Sequence, residues 1–349
     1  MRDAFGAEFE VPRGYLNTPS IGIPPGAVAD AVAAGVDRWR RGADTPDDFD
    51  EAVALSRQGY ADLVGVPVER VAVGTAVSQL LAPVAAGLPD GAKVLVAGGE
   101  FTSTTFPFAA QAHRDVTVTE VELAALPSAL PHHDVAAVSV VQSADGTRVD
   151  LDALREARER SGVPVALDVT QAAGWTPLRL DWADWVVAAG YKWLLSPRGA
   201  AWIAVHPRAL ERTVPVVAGW YAGEVPLQTV YDMPLRLAKG ARRLDLSPVW
   251  LAHLGAAVAL PYLASLDPAA VHAHCAGLAD TLLTALGLPA RGSAIVALDA
   301  DAEKLAAAGV IASTRAGKTR LGFHLYNTVA DVEQVLDALG CDRRARPRG

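Results

Sequence analysis

Cysteine, methionine and lysine are all scarce in this chain of 349 residues. Cys275 and Cys341 are its only cysteines, too few and too late in the chain for a disulfide framework. A reducing cytosol is therefore the expected setting. No apolar run is long enough to cross a bilayer, and "MRDAFGAEFEVPRGYL" lacks the basic-then-apolar order of a signal peptide. The expectation is a soluble intracellular protein with no membrane partner. A net charge of −8 with no basic stripe argues against nucleic acid as a partner. The tail "CDRRARPRG" is basic but short, and reads as a frayed, solvated end. Lys93, Lys192, Lys239, Lys304 and Lys318 are all the lysines there are. Chemistry that needs an amine has few candidates.

What the chain does have is apolar residues, 51% of the total, with 20% charged, the balance of a well-buried globular protein. Its length predicts one large domain and a smaller one. Continuous apolar runs such as "RVAVGT", "AKVLVAG", "DVAAVSVV", "VPVALDV", "ADWVVAAG" and "AAWIAV" read as strands, with helical segments between several of them. That alternation predicts an α/β fold with a mostly parallel sheet covered on both faces. After about residue 250 the order changes to two helices, then a compact β-α-β-β-α unit. The expected division is an N-terminal segment 1–20, a large domain 21–249 and a small C-terminal α+β domain 250–349.

Some motifs mislead. "RAGKT" resembles the end of a phosphate-binding loop, but the position five before Gly317 is Ala312, and a strand follows instead of a helix. No G-x-G-x-x-G follows a strand and no G-x-S-x-G elbow occurs. His272 and Cys275 in "HAHC" are metal-ligand types without a second cluster, so no metal is expected.

Ligands of parallel sheets bind at the carboxyl ends of strands. Asp168 ends one apolar run, with Gln171 three residues on, and Tyr191-Lys192 follows the next. Singly, Asp168 suits a cap and Lys192 a lysine reaching solvent. Together they set an acid and an amine facing one crevice. That is the arrangement pyridoxal phosphate requires: the amine holds the aldehyde and the carboxylate keeps the pyridine nitrogen protonated.

D-x-x-Q followed about twenty residues later by G-Y-K resembles the class V aminotransferase group of fold-type I pyridoxal-phosphate enzymes, which includes cysteine desulfurases and kynureninase. The resemblance covers nearly the whole chain and implies roles. Lys192 would be the Schiff-base lysine, Asp168 the partner of the pyridine nitrogen and Gln171 that of the ring hydroxyl. "VGTAVSQLL" matches the phosphate-binding turn, with Thr75 and Ala76 at a helix N-terminus. "GEFTST" implies Phe101 stacked on the ring, and "VVQSADG" places Ser143, with Gln142, beside it. Tyr191 would reach the phosphate. "GYLNTPSIG" would put Asn17 and Ser20 on the substrate side. Two positions depart from the family. Ala189 stands where a phosphate-binding serine is common, and "DLSP" offers Ser247 in place of the threonine that reaches a neighbouring subunit's phosphate. A homodimer is implied.

"STRAGKTRLGFHLYNT" is similar to the family's C-terminal segment, which implies Arg315 as the grip on the substrate carboxylate, a surface role being the alternative. Arg320, His324, Tyr326 and Asn327 read as structural. No cysteine follows Arg315 closely, within "RAGKTRLGFHLYN", which disfavours a persulfide-forming desulfurase. "WYAGE", "PLRLA" and "ARRLDLSPVW" resemble the carbon–sulfur lyases of ergothioneine biosynthesis. That subgroup implies hercynylcysteine sulfoxide as substrate, with sulfenate or thiol, pyruvate and ammonia as products. Trp220, Tyr221 and Trp250 are candidate walls for its imidazole, a core role being equally open. A transaminase, a kynureninase-like hydrolase and a cofactor-binding protein without activity stand as alternatives.

Overall fold

The computed structural model describes residues 1–341; the frayed-tail reading concerns 342–349, which lie outside the described residues. The chain opens with a small hairpin, β1 (Arg2–Ala4) and β2 (Ala7–Phe9). Seven further strands form the main sheet. They are β3 (Val71–Gly74), β4 (Lys93–Ala97), β5 (Thr117–Val121), β6 (Val135–Ser139), β7 (Val165–Asp168), β8 (Trp185–Ala189) and β9 (Ala201–Val205), in the order β3-β9-β8-β7-β6-β4-β5. Only β9 runs against its neighbours; the pairs from β8 through β5 are parallel. The expected mostly parallel sheet is present. Strands β6 to β9 are buried at every position, which is why they read as unbroken Val/Ala/Leu runs without alternation. Strand β5 lies at an edge and carries exposed threonine and glutamate.

Four helices matter for the site: α1 (Gly26–Arg40), α2 (Asp50–Val64), α3 (Val77–Ala86) and α4 (Thr102–Ala109). Helix α2 and the apolar helix Trp250–Ser265 pack on each other, and separate apolar clusters fill the two faces of the sheet. No single helix among the described residues is long and apolar enough to cross a membrane.

The smaller C-terminal sheet contains β10 (Ile295–Leu298), β11 (Ser313–Arg315) and β12 (Lys318–Gly322), ordered β10-β12-β11 and antiparallel. Leu278, Leu282, Val332 and Leu336, from the helices Pro268–Ala285 and Val329–Leu339, fill its core. The sequence runs "VIAST" and "TRLGFHLY" suggest longer strands than form. Ala316 and Gly317 take left-handed φ of 46° and 77°, making a two-residue hairpin of "RAGKT". After Gly322 the chain turns, with Asn327 Oδ1 accepting from the His324 N–H at 2.8 Å. The N-terminal segment belongs with this sheet: Tyr15 bridges to Ile311, Asn17 to Gly322, and Arg2 pairs with buried Asp331 at 2.6 Å. Residues 19–24 then cross from the small sheet to the large one.

Candidate active site

Strands β7 and β8 pair in parallel with Asp168 opposite Val187, so both deliver their next residues to one edge. The chain leaves β8 through Gly190 and returns as β9. The excursion is clasped by Gly190 N–H to Ala200 O (2.9 Å) and Ser196 N–H to Gly190 O (3.0 Å), with Leu195 in a left-handed conformation (φ 53°). The N-terminal segment seals it from outside. The Gly22 N–H donates to Tyr191 O at 2.9 Å, and a Cβ at Gly22 would lie 1.9 Å from the Lys192 carbonyl oxygen. Any larger residue at Gly22 would push this wall off the loop. Lys192 is thereby left only 6% exposed.

The electrostatics follow from burial. Asp168 accepts from the Thr170 N–H at 2.8 Å and the Thr104 hydroxyl at 3.1 Å, yet burial still raises its pKa above the ordinary carboxylate range. Burial pulls Lys192 down to about 8; Asp168 opposes this, while Arg320, Arg315 and Arg198 add to it. At pH 7 about one such amine in ten is unprotonated, against fewer than about one in a thousand for an ordinary lysine. The group is a usable nucleophile and base near neutrality.

Two cavities meet at Lys192. The smaller, about 150 Å³, lies over the strand ends and is lined by Asp168, Thr170 and the start of α3 from Thr75 to Ser78. The larger, about 700 Å³, has an apolar wall that includes Ile21, Val28 and Val32. Four cations line it, Lys192, Arg198, Arg315 and Arg320, and no carboxylate does. Phe101, Ser143, Tyr191, Lys192 and Arg198 border both.

The structure brings most of the sequence-derived site residues together. Thr75, Ala76, Phe101, Ser143, Asp168, Gln171, Tyr191 and Lys192 all line the smaller cavity, and Ser20 and Arg315 line the larger one. The ammonium of Lys192 sits 5.2 Å from the Phe101 ring centre and 5.6 Å from that of Tyr191. The Gln171 amide donates to Ser143 Oγ (3.1 Å) and Pro19 O (3.0 Å) and accepts from the Trp193 indole at 2.7 Å.

Other sequence-derived residues lie outside both cavities of this chain. Asn17 lines neither cavity; its backbone bridges to Gly322 and its Oδ1 is buried without a hydrogen-bond partner. Gln142 turns to Glu100, donating to its carboxylate at 2.7 Å, because that buried acid also gathers the Ser139 N–H and hydroxyl. Ser247 is exposed and outside both cavities of its own chain, which is compatible with the expected reach to a neighbouring subunit's phosphate. Trp250 stacks on Phe49 with ring centres 5.0 Å apart, and Tyr221 donates to Asp50 at 2.9 Å. Trp220, Tyr221 and Trp250 border neither cavity; aliphatic residues of α1 and the segment before it form the wall instead.

Arg320 is the residue that sequence reasoning undervalued. It is 1% exposed, yet it lines the larger cavity, donating to Ser143 O and Oγ and at 3.0 Å to Ser20 Oγ. Burial, with Arg315 beside it, holds its pKa down to about 10. Among the described residues no carboxylate pairs with it, so a buried cation faces the cavity, an environment that only the fold reveals. Arg198 is the second such omission.

These residues suit pyridoxal phosphate on physical grounds. A buried acid and a buried amine of lowered pKa line one cavity, an aromatic ring flanks the amine, and a helix N-terminus opens onto the same space for an anion. Comparison with known proteins agrees. The family model "Aminotransferase class-V" matches residues 39–290. The uncharacterized aminotransferase YcbU of Bacillus subtilis is 26% identical over 316 residues, covering 83% of each chain. Kynureninase of Salinispora tropica is 28% identical over 268 residues, covering 67% of this chain and 58% of that protein. Among solved structures, the cystine C–S lyase C-DES in complex with cysteine persulfide superposes with a TM-score of 0.84 at 20% identity, covering 94% of this chain and 97% of the other. The apo cysteine desulfurase of Thermococcus onnurineus gives 0.81 at 17%, covering 93% of each. At those identities the structural likeness establishes the fold. The chain belongs to the aminotransferase class-V family of fold-type I, pyridoxal-phosphate-dependent enzymes, and the acid–amine pair at adjoining strand ends is where its residues would hold that cofactor.

Proposed function

We propose that this enzyme is a carbon–sulfur lyase acting on an S-substituted cysteine sulfoxide of the hercynylcysteine sulfoxide type. The net reaction is β-elimination. The Cα proton and the Cβ–S bond are lost, sulfur departs with the bonding pair as a sulfenate, and hydrolysis of the three-carbon remainder yields pyruvate and ammonia. The carrying observation is the larger cavity, apolar along one wall, ringed by cations and joined to the cofactor cleft at Lys192. It suits an amino acid with a bulky S-substituent.

Bound pyridoxal phosphate supplies an electron sink for the charge that develops at Cα. The chain's own residues do the rest. Lys192 tethers the cofactor and, once released, takes the Cα proton on Nζ, for which its pKa of about 8 is suited. Asp168, held by the Thr170 N–H and the Thr104 hydroxyl, would pair with the pyridine nitrogen of the cofactor and favour its protonated form. The substrate carboxylate is one bond from Cα, so the arginine fixed beside Ser143, where the two cavities meet, is the one to hold it. That arginine is Arg320, with Ser143 and Ser20 fixing its guanidinium. Arg315, exposed at the hairpin tip with one donor on its neighbour's carbonyl, is placed for a more distant anionic group of the substrate.

A persulfide-forming route lacks its nucleophile here. Cys275 is fully buried against His324 and its thiol pKa is pushed up by burial, and neither Cys275 nor Cys341 lines either cavity. The reading extends to a homodimer in the cytosol. Val216, Leu227, Tyr231, Met233 and Leu235 expose apolar surface on one segment, and both cysteines are free. Sedimentation should show a species twice the chain mass.

The test is to supply S-alkyl and S-imidazolyl cysteine sulfoxides to the purified enzyme and assay pyruvate. Pyruvate formation without any ketoacid supports the lyase. Amino transfer that requires a ketoacid, or cleavage of kynurenine in preference to sulfoxides, would replace it with the aminotransferase or kynureninase alternative.

A further inference from the structure

The phosphate end of the cofactor cleft poses a problem of supply. Phosphate oxygens only accept hydrogen bonds, so they need donors and a compensating charge. Ala189 offers no hydroxyl, and its N–H already donates to Thr170 Oγ1 at 3.1 Å. The Thr75 hydroxyl proton is committed to the Gln79 carbonyl oxygen. The first N–H groups of α3 and the hydroxyls of Ser78, Ser103 and Tyr191 remain, all uncharged.

Two cations line this cavity, Lys192 and Arg198. Lys192 belongs to the aldehyde end. Arg198 is held where the loop re-enters the sheet. Its guanidinium carbon lies 5.3 Å from the centre of the Tyr191 ring, and Gly199 beyond it takes φ 115°, a turn that other residues rarely adopt. Pro197 before it abuts Gly255 of the helix Trp250–Ser265, where a Cβ would come within 2.6 Å of the proline ring. Among the described residues no carboxylate pairs with Arg198.

We propose that Arg198 is the charge partner of the cofactor phosphate, replacing the hydroxyl that this chain lacks at Ala189. With the guanidinium over the Tyr191 ring, the ring helps to hold it in place, and the guanidinium supplies the charge that the serine and threonine donors cannot. The assignment concerns cofactor binding alone and holds whichever reaction the enzyme performs.

Reconstitution tests it. Holoenzyme is stripped of cofactor, and the dissociation constants of pyridoxal phosphate and of pyridoxal are measured by absorbance titration. Arg198→Met should weaken pyridoxal phosphate by about 30-fold, the scale of a hydrogen bond to a charged group, and leave pyridoxal within twofold. Arg198→Lys should recover part of the loss. Arg315→Met, which lines only the larger cavity, should leave the ratio of the two constants unchanged. An unchanged ratio in Arg198→Met, or an equal fall in Arg315→Met, overturns the proposal. Should Arg198→Met not fold, the wild-type apoenzyme decides. Arg198 is exposed there, so phenylglyoxal should label it, and inorganic phosphate or pyridoxal phosphate should protect it. Protection by pyridoxal equal to that by the phosphate ester would assign Arg198 to the substrate instead.

Discussion

The two cavities that meet at Lys192 are made from different parts of the fold. The cofactor cleft is assembled almost entirely from residues just beyond strand ends and at helix starts: Thr75 after β3, Asp168 and Gln171 at and after β7, Lys192 after β8. The larger cavity is a meeting of distant segments, with α1 and residues 19–24 on one side and the β11–β12 hairpin of the small sheet on the other. The cleft inherits its geometry from a rigid parallel sheet, and the larger cavity inherits its shape from how two units pack. The proposed function puts chemistry in the first and selectivity in the second.

The largest effect that probes this division is Lys192→Ala. It should lower pyruvate formation by about 10³-fold or more, since it removes both tether and base, and abolish the covalent cofactor absorbance. Retained turnover with retained absorbance would break the assignment at its centre.

A second test uses pH and the cofactor-free protein. The Lys192 amine titrates at about 8 in the fold, against an ordinary lysine value of 10.5 in the unfolded chain. Between those values the unfolded chain holds more protons, so stability rises with pH, and below pH 8 the full cost is present. Lys192→Met should therefore be more stable than wild type at pH 7, by on the order of 3 kcal/mol, with the gap closing as pH approaches 10.5. Denaturant midpoints across that range measure it. A gap independent of pH would mean that the amine reaches water.

On the other side of the comparison, Arg320→Lys keeps charge but loses the fork that Ser143 and Ser20 orient. The expected outcome is a rise in KM of about 30-fold with a smaller change in kcat. The smallest effect should come from the apolar wall. Ala33→Phe on α1 narrows the larger cavity and should raise KM about tenfold for bulky S-substituents while sparing S-methyl substrates. Equal losses for both would show that the substituent lies elsewhere.

Much of the cofactor cleft was legible from residues alone, because a buried strand and the residue that follows it are neighbours in sequence. Asp168, Gln171, Tyr191 and Lys192 could be placed by counting past apolar runs. Residues whose role depends on long-range packing were not. Arg320 resembled a structural arginine until β12 carried it beside Ser143, 177 positions away. Asn17 and Gln142 resembled site residues until backbone pairing and Glu100 claimed them. Trp250 resembled a pocket wall, yet its partner Phe49 comes from the short turn before α2.

By itself the sequence determined the sheet, its parallel character, the acid–amine pair and the choice of one lysine among few. Each of these follows from local periodicity and from the cost of burying charge, which a linear chain already records. The tertiary structure alone decided which arginines face the cavities, which aromatics do not, and where an unpaired cation remains for the phosphate. Those depend on which distant side chains satisfy one another first, and a guanidinium becomes a binding group only where no carboxylate has reached it.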